Sequence, residues 1–222
     1  MNRADAQDAA PIVLRLLGNL AACIPAAGLA GSQARTALGD VAATLPTLLA
    51  ADTLGPPLAN CFALVQQAGA TQKQFEVVRI TTEAEQPQTL GGVLMQNSAI
   101  NLCLATEAQI IAGMTFVSRQ DVDSLKKVLR QPFDDAEEIA ADDMDQATFM
   151  ALIELDAAVT HFLVTTARPL PRMVGYQFAA ALPSLVIAYR LYQDASRADQ
   201  VVAENKIVHP AFCPAMGLAL SA

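Results

Sequence analysis

Apolar residues recur at spacings of three and four along most of this sequence, which is the period of α-helices that bury one face. Proline and glycine interrupt the pattern at Pro25 and at Gly55-Pro56-Pro57, where we expect helices to end or begin. The first 70 residues therefore predict helices with three buried stripes: Val13, Leu16, Leu17 and Leu20; Ala34, Leu38, Val41, Ala42 and Leu45; and Leu58, Cys61, Phe62 and Val65.

These first 70 residues are also rich in alanine and nearly free of charge. Small side chains let helix backbones approach one another closely. We interpret the segment as a helical part of the protein core, and the alternative is an oligomerisation surface.

The segment from residue 71 to 167 predicts more helix, with one exception near its start. Phe75–Thr82 is rich in β-branched residues and predicts a short strand. A stripe from Val93 to Ala112 then predicts a long helix, with Glu107 among the polar residues that fall mostly off the stripe. Ser118 can cap the next helix, and Pro132 is expected to end it.

Seven acidic residues and no basic one lie between Asp134 and Asp145. They do not form an Asp-x-Asp-x-Asp-Gly calcium loop, so we interpret them as the solvated start of the following helix, where acids favour the helix dipole. That helix, from Met144 to Thr166, is apolar on most of its circumference, which predicts a buried helix at the centre of the body. His161 on it is interpreted as a structural histidine.

The last fifty residues follow a different pattern, in which a period of two comes first and helical spacing follows. Two prolines make Arg168–Arg172 a stiff linker before this region. Asn205 is expected to end the second of two short helices, because asparagine tolerates the left-handed conformation. The predicted order is a strand, two helices and a strand: Val174–Phe178, Leu182–Tyr192, Ser196–Asn205 and Gly217–Leu220.

These patterns predict a mainly α protein, in which a helical body precedes a small βααβ module. We divide the chain into an Ala/Leu-rich helical segment at 1–70, a helical body at 71–167 and the βααβ module at 168–222.

Composition restricts the choice of partner. Apolar residues make up 53% of the chain and charged residues only 16%, so we expect neighbouring subunits to cover part of the surface. The 14 Lys and Arg residues are outnumbered by 22 acids, for a net charge of −8. Because proteins grip nucleic acid by neutralising phosphates with basic residues, direct nucleic-acid binding is not expected.

The four cysteines, Cys23, Cys61, Cys103 and Cys213, lie far apart and form no Cys-x-x-Cys pair. We interpret them as small buried apolar residues of a protein made in a reducing cytoplasm. The apolar stretch from Leu20 to Gly31 is broken by proline and glycine and is too short to span a bilayer. The N-terminus lacks the order of a signal peptide, so neither a membrane span nor secretion is expected.

The C-terminal module resembles the LysM fold in its order of elements and in several residues. Those that stand in the places of the LysM pattern are Leu191-Tyr192-Gln193-Asp194, Asn205, Pro210, Pro214 and Gly217. The resemblance implies a compact βααβ domain.

A second resemblance covers more of the chain, from about Glu76 to Ala222. It is carried by Arg168–Arg172, Leu182–Tyr192, Asp194–Asp199 and His209–Phe212, which look like the C-terminal half of the Mu-type phage DNA circularisation proteins. This family consists of tail and baseplate-hub components of contractile-tailed phages. The domain by which the family is usually recognised is not among these residues, so we expect a short or split version of such a protein.

The sequence contains no nucleophile elbow, catalytic triad, zinc spacing or dinucleotide fingerprint, so we expect no enzymatic activity, metal or cofactor. The expected role is structural, in a virion tail or baseplate made in the host cytoplasm, as a homo-oligomer or ring that contacts other tail proteins. Amphipathic side chains enriched at interfaces are the candidate docking residues: Arg172, Tyr176, Tyr189, Tyr192, Arg197 and Phe212. The alternative is a LysM-like module that binds peptidoglycan during attachment to the cell wall.

Overall fold

The structure is a computed structural model that describes residues 2–25 and 27–221. Within these residues the fold is mainly helical, with a small two-stranded sheet near the C-terminus, and this confirms the predicted class. The elements are α1 (Arg3–Ala22), α2 (Leu29–Ala51), α3 (Gly55–Gln67), α4 (Gln72–Glu83), α5 (Leu90–Ala112), α6 (Arg119–Asp142), α7 (Gln146–Ala167), β1 (Met173–Gln177), α8 (Ser184–Tyr192), α9 (Ala198–Glu204) and β2 (Met216–Leu220).

The chain forms two compact units. The first unit consists of Met1–Met114 and Leu129–Val159, and the second consists of Thr115–Val128 and Thr160–Ala222. Helices α6 and α7 therefore each contribute residues to both units.

Helices α1 to α5 share one apolar core in the first unit. Helix α1 packs on α2, α4 and α5, and α3 packs on α2 and α5. Of the three stripes predicted in the first 70 residues, every member is buried except Ala42, which is partly buried. Phe62 and Phe75 stack with their ring centroids 5.9 Å apart and so join α3 to α4. The apolar spacing in the sequence thus identifies the faces that meet.

The predicted strand over Phe75–Thr82 is wrong, because these residues lie within α4. The helix begins with a capping box, in which the backbone N–H of Thr71 donates to the side-chain oxygen of Gln74 at 2.8 Å. Packing at helical spacing outweighs the strand propensity of the β-branched residues, and the buried positions of α4 are Gln72, Phe75, Val78, Arg79 and Thr82.

Asp8 of α1 accepts hydrogen bonds from the residues just before α5 and so connects the two helices. Its Oδ2 accepts hydrogen bonds from the backbone N–H groups of Gln88 at 2.7 Å and Thr89 at 2.8 Å, and from the Thr89 hydroxyl at 3.0 Å. The backbone bond from Thr89 is the largest cause of a lowered pKa at Asp8. A Cβ at Gly92 would collide with this carboxylate, so the glycine allows the two helices to approach.

Pro132 lies inside α6 and does not end it, contrary to the prediction. Leu129, Phe133, Ala136 and Ala140 are buried on one stripe that crosses the proline. Their packing outweighs the roughly 3 kcal/mol that an interior proline costs a helix.

Because α6 continues to Asp142, most of the acidic run lies in the C-terminal half of a helix and not at the start of the next one. Only Asp145 has the predicted role: its Oδ1 accepts the backbone N–H of Thr148 at 3.1 Å and so caps α7. The hydrogen bond from the Thr148 hydroxyl, followed by that from the Thr148 backbone, lowers the pKa of Asp145.

Helix α7 is not the buried central helix that its composition predicts. Its buried residues are Leu152, Val159 and Leu163. On other faces, Met150 is 44% exposed, and Ile153 and Val164 are 36% and 39% exposed. The prediction fails because the described chain covers only one side of this apolar helix.

The second unit contains an antiparallel sheet in which Met173 pairs with Leu220 and Gln177 pairs with Met216. Helices α8 and α9 pack on each other, and α9 also contacts β2. An isolated antiparallel β-bridge between Leu182 and Cys213 connects the segment just before α8 with the loop before β2. The buried core consists of Tyr176, Ile187, Ala188, Ala198, Val201, Cys213 and Ala219.

Asn205 links the end of α9 to β2. Its side-chain amide donates to the carbonyl of Leu218 at 2.8 Å, and its oxygen accepts the backbone N–H of Leu218 at 2.7 Å. Asn205 does end the helix, but with φ of −101°. The left-handed conformation that the sequence suggests for Asn205 belongs to Lys206, with φ of 50°.

We expect the substitution Asn205→Ala to weaken the attachment of β2 by about 1–3 kcal/mol, since two hydrogen bonds to Leu218 are lost. Hydrogen exchange of the Leu218 amide measures this directly, and its protection should fall roughly tenfold or more. Asn101→Ala in the first unit is the matched control and should leave the hydrogen-exchange protection of the Leu218 amide as it is in the wild type. Equal protection of Leu218 in all three proteins would contradict the assigned role.

Candidate functional site

The six predicted docking residues all lie in the second unit, and the structure places them in different environments. Tyr189 is 62% exposed and Phe212 is 75% exposed. Arg172 is exposed as well, whereas Tyr192 and Arg197 are half-buried. Tyr176 is only 7% exposed and belongs to the core of the unit. The ring of Tyr176 therefore packs inside the unit and is not available at its surface.

The two exposed aromatic residues lie on α8 and on the loop that packs against the start of α8. The backbone N–H of Ser184 donates to the carbonyl of Pro210 at 2.7 Å, which fixes the loop to the first turn of the helix. The rings of His209 and Phe212 lie 5.3 Å apart. Leu185, 59% exposed, adds apolar surface one turn before Tyr189. Leu185 is not among the predicted docking residues, although its helical spacing from Tyr189 places the two on one face.

Arg197 and Tyr192 form a pair. The guanidinium carbon of Arg197 lies 3.6 Å from the centroid of the Tyr192 ring, within cation–π range. The Arg197 Nε donates to Gln200 at 2.8 Å, so the side chain is held in place. This pair stabilises the turn between α8 and α9.

Arg172 immediately precedes β1 and lies beside Ser221, which follows β2. Its backbone N–H donates to the Ser221 hydroxyl at 3.0 Å, and its carbonyl accepts the Ser221 N–H at 2.6 Å. The backbone is therefore fixed while the charged side chain is exposed to solvent.

A buried ion pair in the first unit is a polar feature that the sequence pattern does not predict. Glu107 of α5 is fully buried, and its Oε1 accepts the Nε of Arg79 at 3.0 Å. Its Oε2 accepts the amide of Gln72 at 2.9 Å. Arg79 also donates to Glu83 at 2.7 Å. The spacing of Arg79 and Glu83 on one helix was the only signal in the sequence.

Every carboxylate oxygen of Glu107 has a partner, so the group acts as a structural link between α4 and α5. Burial raises the pKa of Glu107, while the hydrogen bond from Gln72 and the charge of Arg79 oppose that rise. Burial also disfavours the charge of Arg79, but Glu83 and Glu107 outweigh it and raise the pKa of the guanidinium. The pair therefore holds α4 and α5 together inside the first unit.

The second feature of the first unit is a groove between α5 and α6, which we call the acidic groove. Its volume is about 570 Å³. Leu94, Ile100 and Ile139 form part of its wall, and Leu94 and Ile139 are 46% and 40% exposed. No basic residue is among the described residues that line it, and its carboxylates are Glu83, Asp135, Glu138, Asp142, Asp143 and Asp145.

The cysteines lie in the cores of the two units and His161 lies on the surface. All four cysteines are buried and unpaired, and burial raises the pKa of Cys61 to about 11, so its thiol is protonated at neutral pH. His161 is exposed on α7. No group of three or more His, Cys, Asp or Glu side chains in residues 2–25 and 27–221 has the arrangement of a metal site.

No protein-family profile matches this chain, and a search of curated proteins finds no significant match. The resemblances noted in the sequence therefore remain hypotheses.

Helix α7 is the one helix in the described residues that is long and apolar enough to cross a membrane. Its most apolar window has a mean hydropathy of 1.5, and 17% of that window is buried. Length and composition are the only grounds for this, and Glu154 and Asp156 lie within the helix. The expectation that the chain has no membrane span stays a prediction.

We expect the substitution Arg79→Met to destabilise the first unit by about 3–5 kcal/mol, because it leaves the buried Glu107 without its ion-pair partner. Arg130→Met is the matched control: Arg130 and Asp134 are 82% and 58% exposed, with the charged atoms 3.6 Å apart. A surface pair of this kind contributes about 0–1 kcal/mol. Urea unfolding followed by circular dichroism measures both, and similar losses in the two variants would contradict the structural role of Glu107.

Proposed function

We propose that this chain is a structural subunit of a contractile phage or prophage tail, at the baseplate hub, and that it acts through protein–protein contacts. The resemblance of Arg168–Arg172 and the residues after it to the DNA circularisation proteins supports the tail assignment. The exposed apolar surfaces of the described residues support a role in assembly.

The observation that carries the proposal is the uncovered side of α7. Met150, Ile153 and Ala157, all in the first unit, are exposed at spacings of three and four residues. This is the repeat with which one helix packs along another in a coiled coil. A monomer seldom leaves such a stripe in water, whereas a subunit of an assembly hides it against a neighbour.

The second unit contributes a LysM-like module in this proposal. The order β1, α8, α9 and β2 supports the assignment, as does Asn205 at the end of α9. Tyr189, Phe212 and Arg172 are the exposed members of the predicted docking set, and we assign them to contacts with a neighbouring tail protein.

We expect the purified chain to be an oligomer that depends on the α7 stripe. The double substitution Met150→Ser and Ile153→Ser should weaken association about tenfold or more, because it removes apolar area from the interface. The matched control is Val77→Ser with Ile80→Ser, since these residues are 59% and 51% exposed on α4 at the same spacing. Light scattering coupled to size-exclusion chromatography measures the mass of each protein.

Three results would contradict the assembly role. The first is a chain that is monomeric at every concentration in light scattering. The second is a monomer that binds purified peptidoglycan in a pull-down, which supports the glycan-binding alternative, and the third is a chain that binds lipid vesicles through α7 in a flotation assay. The tail assignment has its own test, in which tails sedimented from an induced lysate of the source strain are probed with antibody to this chain. Its absence from the tail fraction would exclude a virion role.

A further inference from the structure

Charge is divided unevenly between the two compact units. The first unit holds 17 acids and six bases, a net charge of −11, and the second holds five acids and eight bases, a net charge of +3. The two values account for the chain's −8. Where two copies meet, this division of charge favours contact between the first unit of one and the second unit of the other over contact between like units.

The acidic groove gathers six of the first unit's carboxylates around an apolar wall, and one of them, Glu83, is paired with Arg79. Part of the groove is formed by the C-terminal half of α6, whose last turn has no basic residue. The carbonyl end of a helix is itself partly negative, so Asp142 and its neighbours add charge of the same sign. A positive group that entered the groove would relieve this repulsion, while an apolar side chain beside it would cover Leu94 and Ile139.

The α8 face of the second unit has both properties. We define it as Leu185, Val186, Tyr189 and Arg190, all exposed on one side of the helix. Leu185 and Tyr189 supply apolar surface, and Arg190 supplies the positive charge. A short amphipathic helix in a groove between two helices is a recurrent mode of recognition.

We propose that the acidic groove of one copy binds the α8 face of a second copy of this chain. This inference rests on the proposed assembly function, adds a second contact to that of the α7 stripe, and takes the neighbour that Tyr189 meets to be a further copy of this chain. Because the groove and the α8 face are different surfaces, the contact is head-to-tail. An open chain of copies then has a free groove at one end and a free α8 face at the other until a ring closes. Complementary charge places Arg190 near Glu138 and Asp142, and Tyr189 against the apolar wall.

Analytical ultracentrifugation of the full chain tests the contact. Raising NaCl from about 50 mM to about 500 mM should weaken self-association about tenfold, because salt screens exposed charges. Glu138→Lys and Arg190→Glu should each weaken it to a similar extent at low salt. Asp40→Lys is the matched control, since Asp40 is an exposed acid of the same unit outside the groove, and it should associate as the wild type does.

Mixing the two reversed variants provides the decisive measurement. Glu138→Lys presents a basic group in the groove and Arg190→Glu presents an acidic α8 face, so the mixture should regain association close to that of the wild type. Tyr189→Ser should weaken association without changing its salt dependence. Circular dichroism confirms that each variant is folded.

The outcomes separate this contact from the assembly role itself. If the chain forms oligomers whose self-association changes neither with salt nor with either charge reversal, the head-to-tail contact is overturned and the proposed function is not. Weakening by Glu138→Lys but not by Arg190→Glu means that another basic segment fills the groove, which overturns the assignment of α8. A monomer at every salt and protein concentration overturns both proposals.

Discussion

The burial of apolar faces between closely spaced helices is the constraint on which this structure depends. Each fully buried leucine or phenylalanine side chain contributes about 1.5–3 kcal/mol relative to exposure, and the core of α1 to α5 is built from such residues. The chain has 53% apolar residues, and its own helices do not cover them all. The open side of α7 follows from this excess, and it is the feature that a neighbouring subunit would cover.

Polar groups inside the fold serve as links between elements that are distant in sequence. Glu107 joins α5 to α4, Asp8 joins α1 to the start of α5, and Asn205 joins α9 to β2. Glu107 is fully buried, where an unpaired carboxylate would be costly, whereas Asp8 and Asn205 are half-buried and supply partners to backbone groups near the surface. These links fix the register of the helices more narrowly than apolar packing alone does.

The charged surface has a different distribution from the apolar core. Most acids of the run from Asp134 to Asp145 lie along the C-terminal half of α6, where the helix dipole does not favour them. The excess of bases lies in the second unit. A protein with such a division can join unlike surfaces of two copies, whereas identical surfaces of one sign would repel. Two contacts are proposed, one along α7 and one between the acidic groove and the α8 face. Both use exposed side chains that contribute little to the core.

The sequence by itself determined the helical class, the buried stripes of the first three helices and the small sheet near the C-terminus, because spacing along the chain decides which side chains share a face. It misplaced Phe75–Thr82, Pro132 and α7, since in each case packing against residues distant in sequence decides between strand and helix, break and continuation, or burial and exposure. Among the candidate docking residues, Tyr189 and Phe212 could be recognised as amphipathic, but only the tertiary structure separates them from Tyr176. Alternation along a strand gives two faces and does not say which of them the helices cover.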